Sequence, residues 1–237
     1  MPVDIQPTPS SDALFASLRG IDLTVPGRTE GRKTHHTETW TICRLLSTLA
    51  AADLLTFPVS VTHRDRPDFL IQDGRKTIGV EITEAISQQY AAYCALAERE
   101  FPGVFLEPAH FRWDSPDRTV EEVRTLLRQT QLTSDGWAGD HPEREWALFM
   151  QSAVSTKLEK LAHPDFMKCE QNWLSIYDNL PMPNIFLADA IGFLRPLLED
   201  CWSRTPGFDT LFIEHGPVIA RITSRGSDHL ILKDLWK

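Results

Sequence analysis

Between residues 37 and 52 the apolar positions repeat with a helical period, with Glu38, Ile42, Leu45 and Leu49 at i, i+4, i+7 and i+11 on one face. The spacing predicts a helix with Glu38 on its core side, in the first turn. Three short runs with strand character follow, at 57–62, 67–72 and 76–83. Asp73-Gly74 separates the last two, a dipeptide suited to the positive φ of a tight hairpin turn. In the last run Ile78, Val80 and Ile82 alternate with Gly79, Glu81 and Thr83, so Glu81 and Thr83 share the face opposite the aliphatic side chains. Gly79 leaves room on that face for a helix or a ligand.

Helical periodicity returns at 85–100, closed by Pro102-Gly103, and again after Ser115-Pro116, a cap and first-turn pair, through about Gln131. A turn-rich loop, TSDGWAGDHP, leads to a long amphipathic helix at 142–162, and WLSIYD (173–178) reads as a buried strand. Residues 188–202 read as a helix that Pro196 ends or kinks, and 208–214 with 218–223 as a closing strand pair around His215-Gly216-Pro217. Residues 1–35, rich in Pro, Ser, Thr and Gly, read as a flexible arm with one short helix at 12–18. The pattern predicts an α/β (α+β) fold, a single domain over 36–237 with a helical insertion at about 85–140.

Composition narrows the function classes. With 237 residues, 42% hydrophobic and 24% charged, the chain is an ordinary globular length and mixture. No apolar run approaches the ~18 residues of a membrane span, and the N-terminus lacks a secretory pattern. Cys43, Cys94, Cys169 and Cys201 form no CxxC pair, which argues against structural zinc and fits a reducing cytoplasm. A net charge of −9 opposes broad coating of nucleic acid, but leaves room for a local cationic cleft. No GxGxxG, GxxxxGK, GxSxG or HExxH is present, and adjacent His35 and His36 have no partner at metal-ligand spacing. Trp113 and Trp137, in irregular stretches, read as core fillers or loop anchors ahead of base-stacking platforms.

The candidate chemistry lies in RPDFLIQDGRKTIGVEITE, 66–84. A turn at Asp73-Gly74 sets Asp68 and Glu81 roughly across from each other on adjacent strands. Opposed carboxylates repel, and a cation between them offsets the repulsion; Mg²⁺ takes one or two carboxylates plus waters and substrate phosphate. Taken singly, each acid has an ordinary use: an Asp after Pro caps local amides, a strand Glu faces solvent, and a Glu in a first helical turn answers the helix dipole.

The order of elements (helix with Glu38, strand, Pro67-Asp68, hairpin, Glu81-Ile82-Thr83, helix, strand) resembles the PD-(D/E)XK, restriction-endonuclease-like nuclease superfamily, over about 37–83 and 142–178. The resemblance implies an α-β-β-β-α-β core, here with extra C-terminal strands. It also implies Mg²⁺, for which Mn²⁺ substitutes, held by Asp68, Glu81 and the Ile82 carbonyl, with Glu38 orienting a second hydrated ion. Thr83 stands where that pattern has its lysine, and some members carry the lysine on the following core helix. In the 142–162 helix, Trp146, Met150, Ala153, Val154 and Leu161 make one stripe; Lys157 lies inside it and Lys160 near its edge. A lysine on an apolar face reaches out to solvent or meets an anion. Lys157 is therefore the expected replacement, with Lys160 and Lys76 as alternatives.

The expected function is metal-dependent hydrolysis of phosphodiesters in DNA or RNA, catalysed through Glu38, Asp68, Glu81 and Lys157. Nucleic acid is the expected partner, with a homodimer or protein partner also open and no membrane association. A nuclease fold without catalysis, serving as a binding or regulatory module, and a non-enzymatic protein whose hairpin merely resembles the motif are the alternatives.

Overall fold

The structure, a computed structural model, describes residues 3–27, 30–74, 76–129, 134 and 136–237. The fold is mixed α/β; the described residues form eight strands in one sheet, ordered as in sequence, and seven α-helices. It divides into two compact units, one of Met1–Glu84, Ala153–Asp178 and Glu199–Lys237, the other of Ala85–Ser152 and Asn179–Leu198.

The first unit is built on the pattern that opened the chain. Helix α2 (Thr34–Ala51) buries Ile42, Leu45, Leu46 and Leu49. They share one apolar cluster with Val59 and Val61 of β2 (Val59–His63), Phe69 and Ile71 of β3 (Phe69–Asp73), and Ile78, Val80 and Ile82 of β4 (Lys76–Ala85). β2, β3 and β4 pair antiparallel in sequence. The short helix expected at 12–18 is α1 (Ser11–Arg19), capped by Ser10 and burying Leu14 and Leu18, while β1 (Asp4–Thr8), which pairs antiparallel with β2, ties down a stretch expected to be loose. Alternating Val3 and Ile5 and the i, i+4 leucines anchor a stretch whose Pro and Ser content suggested otherwise.

Beyond β4 the sheet continues with β5 (Gln171–Asp178), β6 (Thr210–His215), β7 (Val218–Thr223) and β8 (Gly226–Ile231). β5 and β6 are parallel; β6, β7 and β8 are antiparallel. β8 was not predicted, because GSDHLI is an edge strand with no buried side chain and little apolar alternation to announce it.

The second unit holds α3 (Gln88–Glu100), a 3-10 turn at Pro108–Phe111 and α4 (Val120–Arg128), around Leu96, Leu106, Phe111, Val123 and Leu127. α4 starts four residues after the expected Ser115-Pro116 cap, where Thr119 and Glu122 form a capping box. The expected end of that helix near Gln131, and Thr133 and Asp135 of the loop after it, lie outside the described residues. In this unit the Trp137 indole N–H donates to Glu145 at 3.2 Å and Trp113 packs edge-on against Phe149, so both tryptophans serve as loop anchors. α5 (His141–Leu161) contributes to both units, and α6 (Leu187–Leu197) ends just past Pro196, before the short α7 (Glu199–Ser203). Among the described residues, no helix is long and apolar enough to cross a membrane.

Candidate active site

The β3–β4 register pairs Phe69 with Val80 and Leu70 with Gly79, so one step further sets Asp68 opposite Glu81. Gly74, at φ +60°, makes the turn that fixes this register. The two acids are also tied through the backbone. The Ile82 N–H donates to Asp68 Oδ2 at 2.6 Å, and the Asp68 N–H donates to Glu81 Oε1 at 3.3 Å. Both carboxylates therefore lie on the same side of the hairpin, and Glu81 is 4% exposed where an ordinary strand glutamate would face water.

Lys157 joins them from α5. Its Nζ donates to Glu81 Oε2 at 2.7 Å and lies 3.5 Å from Asp68 Oδ2. Trp146, Met150, Val154 and Leu161 of the same helix are buried as the stripe requires, and Lys157 is buried among them. Lys160 and Lys76 are exposed. Burial raises the Glu81 carboxyl above its ordinary range, nearby Asp68 adds to the rise, and Lys157 opposes it. Thr83, uncharged, lines an adjoining cleft of about 290 Å³ with Arg32, Lys33, Glu38, Ile82 and Glu84.

Glu38 belongs to the same electrostatic group. α2 begins at Thr34, three residues before the predicted start, so Glu38 sits in the second turn and not in the first. The helix dipole therefore gives little reason for an acid there. Its carboxyl is raised by burial first and by Asp68 second, with His63 and Lys157 pulling the other way. His63 was not singled out from the sequence. Its Nε2 lies 3.4 Å from Glu38 Oε2 and its ring is 5.0 Å from that of Phe69, at the end of β2. The available signal was its place just after the strand-like run at 57–62 and just before the Pro67-Asp68 turn.

Gly79 does not leave the open space expected of it. A Cβ there would lie 3.0 Å from both Cys169 Sγ and Pro67 Cγ, so the thiol and the ring already cover it. His36 accepts the Lys33 N–H at 2.9 Å through Nδ1, a capping role that accounts for it. No disulfide joins the four cysteines; burial pushes the Cys43 thiol up to about 12 and the Cys201 thiol up to about 11. Among the described residues no group of three or more His, Cys, Asp or Glu is arranged to hold a metal ion.

No family model, curated protein or solved structure matches the chain. The geometry of Glu38, Asp68, Glu81 and Lys157 thus stands on its own chemistry.

Proposed function

We propose that the protein is a metal-dependent phosphodiester hydrolase acting on nucleic acid, with a PD-(D/E)XK-like core of α2, β2, β3, β4, α5 and β5. One observation carries the reading: two opposed carboxylates, Asp68 just before β3 and Glu81 on β4, converge on a single cationic centre, the Lys157 ammonium, at 3.5 and 2.7 Å. A pair that already accommodates one cation suits a hard divalent ion, which needs only one or two carboxylates and completes its shell with water and phosphate. Asp68 and Glu81 would hold it. The Ile82 amide points to the Asp68 edge, and in an extended strand the carbonyl of the same residue leaves on the same edge. A bound Mg²⁺ or Mn²⁺ would supply Lewis-acid polarisation of the phosphate and lower the pKa of coordinated water.

The chain's own groups do the rest. Lys157 takes the part of the lysine that Thr83 cannot fill, placing positive charge where negative charge develops in the transition state. Glu38, with a raised carboxyl and His63 beside it, is positioned to accept or return a proton at the edge of the pair. Arg32, whose Nη2 lies 3.2 Å from Glu84 Oε2, lines the adjoining cleft and offers a contact for a substrate phosphate.

The same contact favours a second reading. An ammonium 2.7 Å from Glu81 can satisfy the buried acids without any ion, as in a nuclease fold that serves as a binding module. Cleavage of single- and double-stranded DNA and RNA with Mn²⁺, beside calorimetric Mn²⁺ titration, separates the two. The wild type should cleave and take up Mn²⁺; Glu81→Ala and Asp68→Ala should lose both, with rates down about 100-fold or more. Lys157→Ala should retain the ion and lose rate. A wild type that neither cleaves nor binds Mn²⁺ sinks the hydrolase reading.

A further inference from the structure

A cavity of about 720 Å³ lies in the first unit, and Cys169, which covers Gly79, is part of its wall. Its wall includes Met167, Lys168, Cys169, Trp202, Arg204 and Phe208. The cavity falls within the size range of small-ligand sites, and its lining combines aromatic, apolar and cationic groups. Trp202 is half-buried, while Lys168 and Arg204 are exposed and, among the described residues, have no ion-pair partner. The two acids on the rim are already engaged: Glu170 accepts the Thr77 N–H at 2.7 Å and Asp209 accepts the Asn172 N–H at 2.7 Å. Although Glu170 and Asp209 balance Lys168 and Arg204 in formal charge, backbone amides hold the two acids, and the aromatic ring and two cations without an ion-pair partner on one wall suit an anionic ligand with a flat face.

The cavity is tied to the carboxylate pair through one short segment. Met167 donates its N–H to the Arg66 carbonyl at 3.4 Å, and Cys169 packs with Pro67 over Gly79. Pro67 precedes Asp68, and Gly79 is two residues before Glu81 on the same strand face. The end of α5 that carries Lys157 leads directly into the wall at Leu161. The wall segment at Met167 and Cys169 thus lies against the hairpin that carries the acids.

We propose that this cavity seats one unpaired nucleotide of a single-stranded nucleic acid, its base against Trp202 and its phosphates on Lys168 and Arg204. The inference rests on the nuclease reading and names the substrate class of that site. A paired base inside a duplex presents no free face to such a concave site, whereas an unstacked base does, and base–aromatic stacking is tolerant of sequence. The strand then continues past Cys169 and Pro67 toward Asp68 and Glu81.

Fluorescence anisotropy with a dye-labelled single-stranded DNA 12-mer in EDTA tests the assignment without requiring cleavage. The strand should bind at least about tenfold more tightly than the blunt duplex of the same sequence. Lys168→Glu combined with Arg204→Glu should weaken it by tenfold or more and flatten the dependence of log K on log salt by about 1.4 units, at about 0.7 for each of the two phosphate contacts on a single strand. Both side chains are exposed, so the fold should survive, as circular dichroism would verify. Trp202→Leu should weaken binding with an unchanged salt slope. Absent binding, equal or tighter binding of the duplex, or an affinity indifferent to the charge reversals would each overturn the inference. A wild type that binds the strand but never cleaves with Mn²⁺ would instead overturn the hydrolase reading and leave the cavity assignment standing.

Discussion

At the residue scale the chemistry turns on how Lys157, Glu81 and Asp68 share charge in a place with little water. Burial and Asp68 both raise the Glu81 carboxyl, and the Lys157 ammonium is the chief opposing influence. Replacing Lys157 by methionine keeps the aliphatic volume and removes that charge, which raises Glu81 further. A folded-state pKa above the unfolded value means the native state holds more protons in the interval between the two. Stability contributed by Glu81 is therefore full below its ordinary value and declines as pH rises through the folded one. Lys157→Met should cost on the order of 3 kcal/mol near pH 8 and markedly less near pH 5, by urea unfolding at both. A loss that is equal at the two pH values would mean that packing, not charge, is what Lys157 supplies. Adding Glu81→Gln to Lys157→Met should recover most of the loss at the higher pH.

At the scale of elements, the hairpin and its supports differ in how far sequence alone reveals them. The turn at Asp73-Gly74, the alternation of Ile78, Val80 and Ile82, and the stripe on α5 are local patterns, and the Asp68–Glu81 register follows from them. Lys157 was legible by helical phase, although 76 residues separate it from Glu81. What was not legible depends on distant partners. His63 gains meaning through Glu38, β1 and β8 through the strands beside them, and the second unit by drawing in Asn179–Leu198 from far along the chain. Gly79 shows how a pattern can be right while its use is mistaken. The glycine is required, but by Cys169 and Pro67, which occupy the space a side chain would need. Gly79→Ala should destabilise by about 1–2 kcal/mol, read as a fall of about 4 °C in Tm, because the proline ring cannot yield as a flexible side chain would. Pairing it with Cys169→Ala should restore part of the loss. A Gly79→Ala protein as stable as wild type would remove the packing account of this position.

At the scale of the whole molecule, the sequence-distant parts of the first unit meet at Arg44. Its Nε donates to Glu214 Oε1 at 2.9 Å on β6, its Nη1 donates to Asp234 Oδ2 at 2.7 Å after β8, and its guanidinium lies 4.6 Å from the centre of the Trp40 ring. The segment after β8 is fastened beside it: Ser47 Oγ donates to the Lys233 carbonyl at 2.6 Å, the Lys233 N–H donates to Thr48 Oγ1 at 3.0 Å, and the Trp236 indole N–H donates to the Ile21 carbonyl at 3.2 Å. α2 is thus held on one side by the strands that carry Asp68 and Glu81 and on another by residues near 234. Glu214 is 4% exposed and its Oε2 is without a hydrogen-bond partner, so removal of Arg44 leaves a buried acid with nothing to offset it. Arg44→Met should cost about 3–5 kcal/mol, the usual penalty for stranding one member of a buried ion pair, whereas Asp234→Asn, which leaves the Glu214 contact intact, should cost about 1 kcal/mol. Hydrogen exchange distinguishes a local from a global effect. If Arg44 is the clasp, the amides of Lys233 and Trp236 lose protection in Arg44→Met well beyond what the drop in global stability accounts for, while those of β3 and β4 track the global change. Uniform loss across α2, the hairpin and the C-terminal segment would mean that Arg44 stabilises the unit as a whole and that the segment after β8 is held by its own apolar contacts, through Leu232, Leu235 and Trp236.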